Sequence, residues 1–412
     1  MSTHHLSRGL AVIVFLAFAL AYFFSALVRA ITATLSPTLT QELGLQARDL
    51  GLLAGGYFFG FSLTQLPLGR WLDRYGPRSV ILAFLTVAVL GCVAFSQAES
   101  FGGLLLARVL CGVGVSACLM APLTGYRRWF NASTQLRTNS WMLMTGSLGM
   151  VAATLPVQWL LPIWGWRAIF VAMAVCIAVS MLAIRLLVPA WHRSTPAAQA
   201  AVADDGGYGA VWRSRYFWRL TPIGFFSYGG MVAIQTLWAG PWMTQVAGWS
   251  ALESATGLFA INLSMLASFW LWGWITPALA RRGIHADLLI ARGFPLSLFM
   301  LAALVFVGPS AGAGVAAMLA AFCVCSTFVS LAQPAVGMAF PPHLAGRALS
   351  AYNLVIFAGI FVVQWGIGLG VDLARSLGLD TVQAYQVAFG AFGICSLLSW
   401  LFFLLQRADN GN

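Results

Sequence analysis

A short charged segment lies between two long apolar runs near the start of the chain, and it limits the possible folds more than any other feature. Residues 69–78 contain three arginines and an aspartate, whereas residues 50–68 and 80–95 are apolar. Each run approaches the roughly 20 residues that a helix needs to cross the hydrocarbon core of a bilayer. The segment is therefore predicted to be a loop at a membrane surface, joining two antiparallel membrane-spanning helices.

The composition of the whole chain also indicates an integral membrane protein. Of the 412 residues, 60% are hydrophobic and 8% are charged, whereas soluble domains carry about 25% charged residues. The sequence lacks the short alternating segments that are typical of a membrane β-barrel. The predicted fold class is therefore an all-α membrane protein.

Twelve apolar runs are long enough to cross a bilayer as helices. The run that follows Arg8 is too long for the core of a signal peptide and is predicted to remain as the first span. The approximate limits of the twelve runs are 9–35, 50–69, 79–98, 102–126, 139–162, 166–189, 217–243, 253–279, 287–308, 312–338, 348–371 and 382–406.

The spans divide into two halves that resemble each other. One long connection, rich in Pro, Ala and Gly, predicts an N-terminal six-helix bundle (1–189), a cytoplasmic linker (190–215) and a C-terminal six-helix bundle (216–412). Arg74 and Gly76 of the first half align with Arg281 and Gly283 of the second, at equivalent places between spans. Two such repeats around a central cavity are an arrangement in which alternating access arises by rocking one half against the other.

The distribution of arginines predicts the orientation in the membrane. The chain has no lysine, and 17 of its 22 arginines fall on one side of the predicted spans. Three others, Arg48, Arg167 and Arg375, fall on the opposite side. Because basic residues favour cytoplasmic loops, both termini are predicted to be cytoplasmic, in a multi-pass protein of the cell inner membrane.

The charged segment resembles a motif of the major facilitator superfamily (MFS), whose bacterial members commonly have 12 helices. The family pattern G-x(3)-D-R-x-G-R-R/K lies between its second and third helices, and Pro77 replaces one of its basic positions here. The resemblance implies that this segment is a conformational switch, in which Asp73 forms a breakable ionic contact and the glycines allow a tight turn. The matching residues are Gly69, Asp73, Arg74, Gly76 and Arg78.

Two further motifs refine this resemblance. Arg108, Gly112 and Gly114 are similar to the family's helix 4 motif, whose arginine has been linked to coupling. Residues 128–137 resemble the loop between helices 4 and 5 in carriers of nitrate, oxalate and organophosphates. The Gly-Pro pattern of drug/proton antiporters is only loosely matched by residues 146–156, so the chain is closest to carriers of organic and inorganic anions.

Two arginines within the predicted spans are candidates for substrate binding, because a charge inside a membrane is usually functional. Arg29 lies on the first span and Arg108 on the fourth, at similar depths, and the family resemblance implies that both helices line the central cavity. All eleven acidic residues lie in loops or at span ends. The two guanidiniums could therefore bind an anionic substrate; alternatively, they extend to the outer interface or bind backbone carbonyls.

Other polar residues inside the spans are further candidates. Tyr22, Ser25, Thr32 and Ser36 lie on both sides of Arg29 at helical spacing and are predicted to line the cavity or to pack between helices. On later spans the same two interpretations apply. The candidates there are Gln235, Trp238, Asn262, Gln333 and Asn353.

These observations predict a secondary active or facilitative transporter of a small anion that works by alternating access, as a symporter or an antiporter. The alternatives are a proton-coupled exporter of hydrophobic or drug-like compounds and, more remotely, a membrane sensor. An enzyme is not predicted, because no catalytic group lies within the spans. No metal, cofactor or nucleic acid is expected; the expected partners are the substrate, a co-transported proton or an exchanged anion, and the bilayer, around a monomer.

Overall fold

The structure, a computed structural model, describes residues 6–190 and 208–406. Over these two ranges the chain is almost wholly helical and contains no β-strand. Nine helical segments of the described residues are long and apolar enough to cross a membrane. The predicted all-α membrane class is thus confirmed.

The first half of the chain consists of long helices. Two of them contain a single non-helical residue: Gly76 in α3 (φ 78°, ψ 161°) and Gly165 in α7 (φ 69°, ψ 162°). Glycine adopts such positive φ angles without the strain that a Cβ would cause. Each glycine therefore separates two helical segments within one element. The elements are α1 (Arg8–Leu43), α2 (Ala47–Leu63), α3 (Gln65–Gln97), α4 (Phe101–Val115), α5 (Ala117–Trp129), α6 (Ala132–Ala152) and α7 (Leu155–Leu187).

The second half begins with a helix of mixed geometry. Between Arg215 and Val246, short α-helical pieces alternate with π-helical segments at Ile223–Tyr228, Ile234–Trp238 and Trp242–Val246. Regular helices follow this mixed helix, apart from 3₁₀ turns. The α-helical elements are α8 (Gly209–Trp212), α9 (Arg215–Pro222), α10 (Gly229–Ala233), α11 (Ala239–Pro241), α12 (Ala251–Arg281), α13 (Ala286–Val307), α14 (Val315–Ser326), α15 (Ala332–Met338), α16 (Pro342–Ser376) and α17 (Thr381–Leu405).

The nine candidate spans match nine of the twelve predicted ones. The second, fifth and seventh predicted spans have no separate counterpart, because the structure interrupts each of them. The second and fifth continue from α2 and α6 into the long helices α3 and α7, and the seventh contains the π-helical segments. The total of twelve spans is consistent with this arrangement and stays a prediction.

The chain divides into two compact units. The first comprises Met1–Ile31 and Phe59–Asp205, and the second comprises Thr32–Phe58 and Gly206–Asn412. The end of α1 and the start of α2 therefore belong to the unit that contains the second half of the chain. The predicted linker lies largely outside the described residues, and the predicted boundaries of the bundles stay predictions.

Close helix packing in the first unit depends on glycines. A methyl group added at Gly114 of α4 would clash with the backbone nitrogen of Ala88 in α3. In the same way, Gly149 of α6 packs against the backbone of Phe23 in α1. Small residues allow helices to approach closely in membranes, where dispersion contacts stabilise their association.

Aromatic side chains form much of the core of the second unit. Trp238 and Trp242 of the mixed helix are fully buried. Their ring centroids lie 6.1 Å and 6.2 Å from that of Tyr385 in α17, in edge-on geometry. This cluster joins the mixed helix to α17.

Candidate functional site

The polar side chains predicted along α1 are buried within the protein. Tyr22, Ser25, Thr32 and Ser36 are all less than 10% exposed, and Arg29 is half-buried. Tyr22, Ser25 and Arg29 belong to the first compact unit, whereas Thr32 and Ser36 belong to the second. Spacings of three, four or seven residues place these side chains on one face of the helix.

Arg29 lies in a mixed aromatic and polar environment of the first unit. Its guanidinium is 5.8 Å from the ring centroid of Phe61, a cation–π arrangement. Tyr22 and Cys118 are electrostatic neighbours of the same guanidinium. Gly146 of α6 leaves room for the Tyr22 ring, since a Cβ at this glycine would lie 2.5 Å from it.

Arg108 is fully buried on α4. Its Nη1 donates a hydrogen bond of 3.0 Å to the backbone carbonyl of Val28, the residue before Arg29. The sequence left open a contact with substrate or with a backbone carbonyl, and the structure shows the carbonyl contact. The buried glycines of the same motif, Gly112 and Gly114, follow on the same helix.

Four of the predicted polar residues form two pairs in the second unit. Gln235 donates a hydrogen bond of 3.0 Å to Asn262 on α12. Gln333 of α15 donates one of 2.6 Å to Asn353 on α16. Each pair joins helices that are adjacent in the sequence, as expected for residues that hold helices together within a membrane.

Trp238 connects the mixed helix to α16. Its indole Nε1 donates a hydrogen bond of 3.0 Å to the backbone carbonyl of Gln364. The Gln364 side chain in turn donates one of 3.0 Å to the Thr236 hydroxyl. Trp238, Thr236 and Gln235 all lie in the π-helical segment Ile234–Trp238. Such segments occur frequently at functional sites.

The predicted conformational-switch motif has two structural parts. Gly76 provides the break between the two helical segments of α3. The Arg78 guanidinium donates hydrogen bonds to the carbonyls of Val188 (3.1 Å) and Arg185 (2.6 Å) at the end of α7, where a helix leaves carbonyls without intrahelical partners. The expectation of a turn at Gly69 is wrong, because this residue lies inside the helical part of α3 together with Asp73 and Arg74.

A contact that the sequence did not predict lies at the beginning of α2. The Asp372 carboxylate on α16 accepts hydrogen bonds from the backbone N–H groups of Ala47 (3.2 Å) and Arg48 (3.0 Å). Asp49 accepts another, of 3.1 Å, from the N–H of Gln46. Asp372 and its two partners are more than 300 residues apart in the sequence, so the only local signal for this contact is the position of Asp372 at a span end.

A cavity of about 490 Å³ lies beside this contact in the second unit. Its lining includes the side chains of Gln46, Gln245, Asp372, Arg375 and Tyr385. The Tyr385 hydroxyl donates a hydrogen bond of 3.2 Å to Gln245. The lining thus combines polar side chains with apolar ones such as Leu45, Leu50 and Val371, and Asp372 is one of the polar groups.

An ionic cluster lies at the other end of the same unit. Arg219 of α9 pairs with Asp287 of α13, and the Tyr216 hydroxyl donates a hydrogen bond of 2.8 Å to the same carboxylate. The Arg219 side chain is 11% exposed and that of Asp287 is 29% exposed. Burial and then the Asp287 charge raise the pKa of the Tyr216 hydroxyl, so this group remains protonated at neutral pH.

A model of the family described as "Major Facilitator Superfamily" matches residues 18–364 of the chain. The hexuronate transporter of Escherichia coli K12 is 23% identical over 302 residues, or 69% of this chain and 68% of that protein. The probable L-galactonate transporter of the same organism is 24% identical over 209 residues, and the match covers 49% of this chain and 43% of that protein.

Two solved structures show the same fold. A bacterial homologue of the human lysosomal transporter Spinster has a TM-score of 0.79 at 18% identity, covering 97% of this chain and 98% of its own. A D-xylose-proton symporter has a TM-score of 0.74 at 14% identity, covering 95% and 96%. These structures confirm the predicted fold, and the family match confirms the predicted family and a transporter-type protein rather than an enzyme. Since the family model matches well over half of the chain, the protein belongs to the Major Facilitator Superfamily.

Proposed function

We propose that the chain transports a small organic anion across the bacterial inner membrane by alternating access. The observation that carries this proposal is the position of two arginines inside the first unit. Arg108 is fully buried and bonds to the Val28 carbonyl, and Arg29 is the next residue along α1. Positive charge is therefore concentrated around one turn of a membrane-spanning helix.

The sign of the charge at this depth favours an anionic substrate. A charged side chain within a bilayer costs at least about 2.5 kcal/mol unless it is solvated or paired. The eleven acidic residues of the sequence lie at predicted span ends and in loops. An anionic substrate would add negative charge at this depth, and a guanidinium binds a carboxylate with two parallel hydrogen bonds.

The names of related proteins support a carboxylate as the substrate. The relatives include transporters named for hexuronate, galacturonate, 4-hydroxybenzoate and cis,cis-muconate, and a probable transporter of sulfoacetate. Each of these solutes carries a carboxylate, although their carbon skeletons differ. The shared chemical group favours a carboxylate-binding site over one that selects a particular ring or chain.

The coupling mechanism and topology belong to the same proposal. Exchange of anions, or symport in which a proton accompanies the substrate, requires no carboxylate in the middle of a span.

Both termini are proposed to be cytoplasmic because of the arginine distribution, and the working unit is proposed to be a monomer. Asp73 is proposed to form a breakable contact of the inner loop, as the family motif implies.

Uptake into proteoliposomes tests this function directly. Purified protein would be assayed with radiolabelled glucuronate, with 4-hydroxybenzoate, and with neutral xylose as a control for charge. We expect saturable uptake of at least one carboxylate, and its loss in Arg29→Gln. Arg167→Gln is the matched control: this arginine stacks on Trp166 at 4.1 Å and bonds to the Ala98 carbonyl. Saturable uptake of xylose alone, or full carboxylate uptake by Arg29→Gln, would contradict an anion site at Arg29.

A further inference from the structure

Helices α2 and α16 pack against each other in the second unit over four successive contacts. Every step of three or four residues forward along α2 is matched by a similar step backward along α16, so the helices are antiparallel and in constant register. We call this row of contacts the α2–α16 seam. Its pairs are Ala47 with Gly368, Gly51 with Gln364, Gly55 with Phe361, and Phe58 with Phe357.

The seam depends on direct approach of the two backbones. A Cβ at Gly51 would lie 2.5 Å from the carbonyl oxygen of Gln364. A Cβ at Gly368 would likewise clash with the carbonyl oxygen of Ala47. At the far end, the Phe58 and Phe357 rings stack with centroids 6.2 Å apart. These four contacts are made by backbone and apolar groups, which form a tight but uncharged interface.

A charged contact is added at the end of the seam where α2 begins. Asp372 lies one helical turn beyond Gly368, and its carboxylate accepts the N–H groups of Ala47 and Arg48. The first N–H groups of a helix have no intrahelical acceptor and carry partial positive charge. Asp372 thus provides, from a different helix, the cap that a helix usually obtains from its own sequence.

We propose that Asp372 is a positioning residue of the transport cycle, which holds the start of α2 against α16 and thereby sets the population of the closed seam. This inference depends on the proposed alternating access. Helix α2 belongs to the first predicted half and α16 to the second, and rocking of the halves would separate them. The hydrogen bonds of Asp372 would then break at each opening.

The surroundings of Asp372 make this contact breakable. Its side chain is 18% exposed and lines the 490 Å³ cavity, so water can solvate the carboxylate when the seam opens. Asp49, in the first turn of α2, keeps its own hydrogen bond to the N–H of Gln46. The helix start therefore retains a local cap when Asp372 leaves. Asp49 stabilises the start of α2 in either state, whereas Asp372 contacts it only when α2 packs against α16.

Spin-label distances test this assignment without any substrate. Labels would be attached to cysteines introduced at Gln41 and Leu377, both of which are exposed, in a variant without the seven native cysteines. The wild type should show a short-distance population for the closed seam and a longer one for the open seam. We expect Asp372→Asn to shift this equilibrium about tenfold toward the open seam, because it weakens two charge-assisted hydrogen bonds. Asp372→Glu, which keeps the charge, should restore part of the closed population.

Asp49→Asn is the matched control, because it removes the same charge at the same helix start while its own hydrogen bond is to Gln46 and not to α16. Both carboxylates lie near the Arg48 Nε, at 3.8 Å and 3.9 Å, so an effect through that arginine is common to the two variants. An unchanged distance distribution in Asp372→Asn, or an equal shift in Asp49→Asn, would overturn the assignment. If both distance populations are present but their ratio does not change in Asp372→Asn, this inference alone is refuted. A single population under every condition, with or without glucuronate, would instead contradict alternating access and with it the proposed function.

Discussion

The Arg108 guanidinium on α4 is bonded to the backbone carbonyl of Val28 on α1, next to Arg29, the other candidate for anion binding. A buried arginine of this kind has two separable properties. Its hydrogen bond fixes α4 against α1, and its charge contributes to the electrostatic potential around Arg29. A substitution that keeps a donor but removes the charge distinguishes the two properties.

Arg108→Gln is expected to impair anion transport more than folding. Glutamine keeps an amide donor but is shorter than arginine, so the contact with Val28 weakens and the free energy of unfolding should fall by about 1 kcal/mol. Loss of the charge should raise the KM for a carboxylate about tenfold, as expected from the loss of one charge-assisted interaction. Thermal unfolding in detergent and concentration-dependent uptake measure the two effects. A large loss of stability without a change in KM would assign Arg108 to helix packing alone.

The Gln235–Asn262 pair separates helix packing from ligand binding in the second unit. If the hydrogen bond between these amides serves packing, the double variant Gln235→Leu with Asn262→Leu should lose less stability than the sum of the single variants. A coupling of about 0.5–1.5 kcal/mol is expected, by analogy with polar pairs in other membrane proteins. Thermal unfolding of the four proteins measures it. Zero coupling together with a raised KM in each single variant would instead favour contact with the substrate.

Some of these features follow from local sequence, and others cannot. The helical class and the family follow from hydropathy, spacing and motif residues, whereas the sequence left open whether Arg108 is buried or extends to the interface. Gly76 has the backbone conformation of a turn and Gly69 is helical, because the motif specifies two glycines but not which one leaves the helix. The π-helical segments and the Asp372 contact arise from tertiary packing. No local pattern specifies a carboxylate that caps a helix 324 residues away.

Asp287→Asn is expected to destabilise the second unit. The carboxylate pairs with Arg219 and accepts the Tyr216 hydroxyl, and both partners are largely covered. Asparagine leaves the Arg219 charge with a weaker acceptor, so we expect a loss of about 1–3 kcal/mol in the free energy of unfolding. Tyr216→Phe removes one hydrogen bond and no charge, and should cost about 1 kcal/mol. Thermal unfolding in detergent compares the variants; equal losses would show that the ion pair adds nothing to the hydrogen bond.

Two glycines of α4 should respond in opposite directions to the same substitution. A Cβ at Gly114 would meet the backbone of Ala88 on α3, and a backbone cannot move aside without separating the helices. Gly114→Ala should therefore lower stability by several kcal/mol, in the upper range for overpacking. Gly102, at the start of the same helix, has no atom within 4 Å of its added Cβ. Gly102→Ala should be neutral or stabilise the helix by up to about 1 kcal/mol, because alanine loses less conformational entropy. Thermal unfolding of both variants in the same detergent measures the difference, and equal stability of the two would contradict the close packing of α3 and α4.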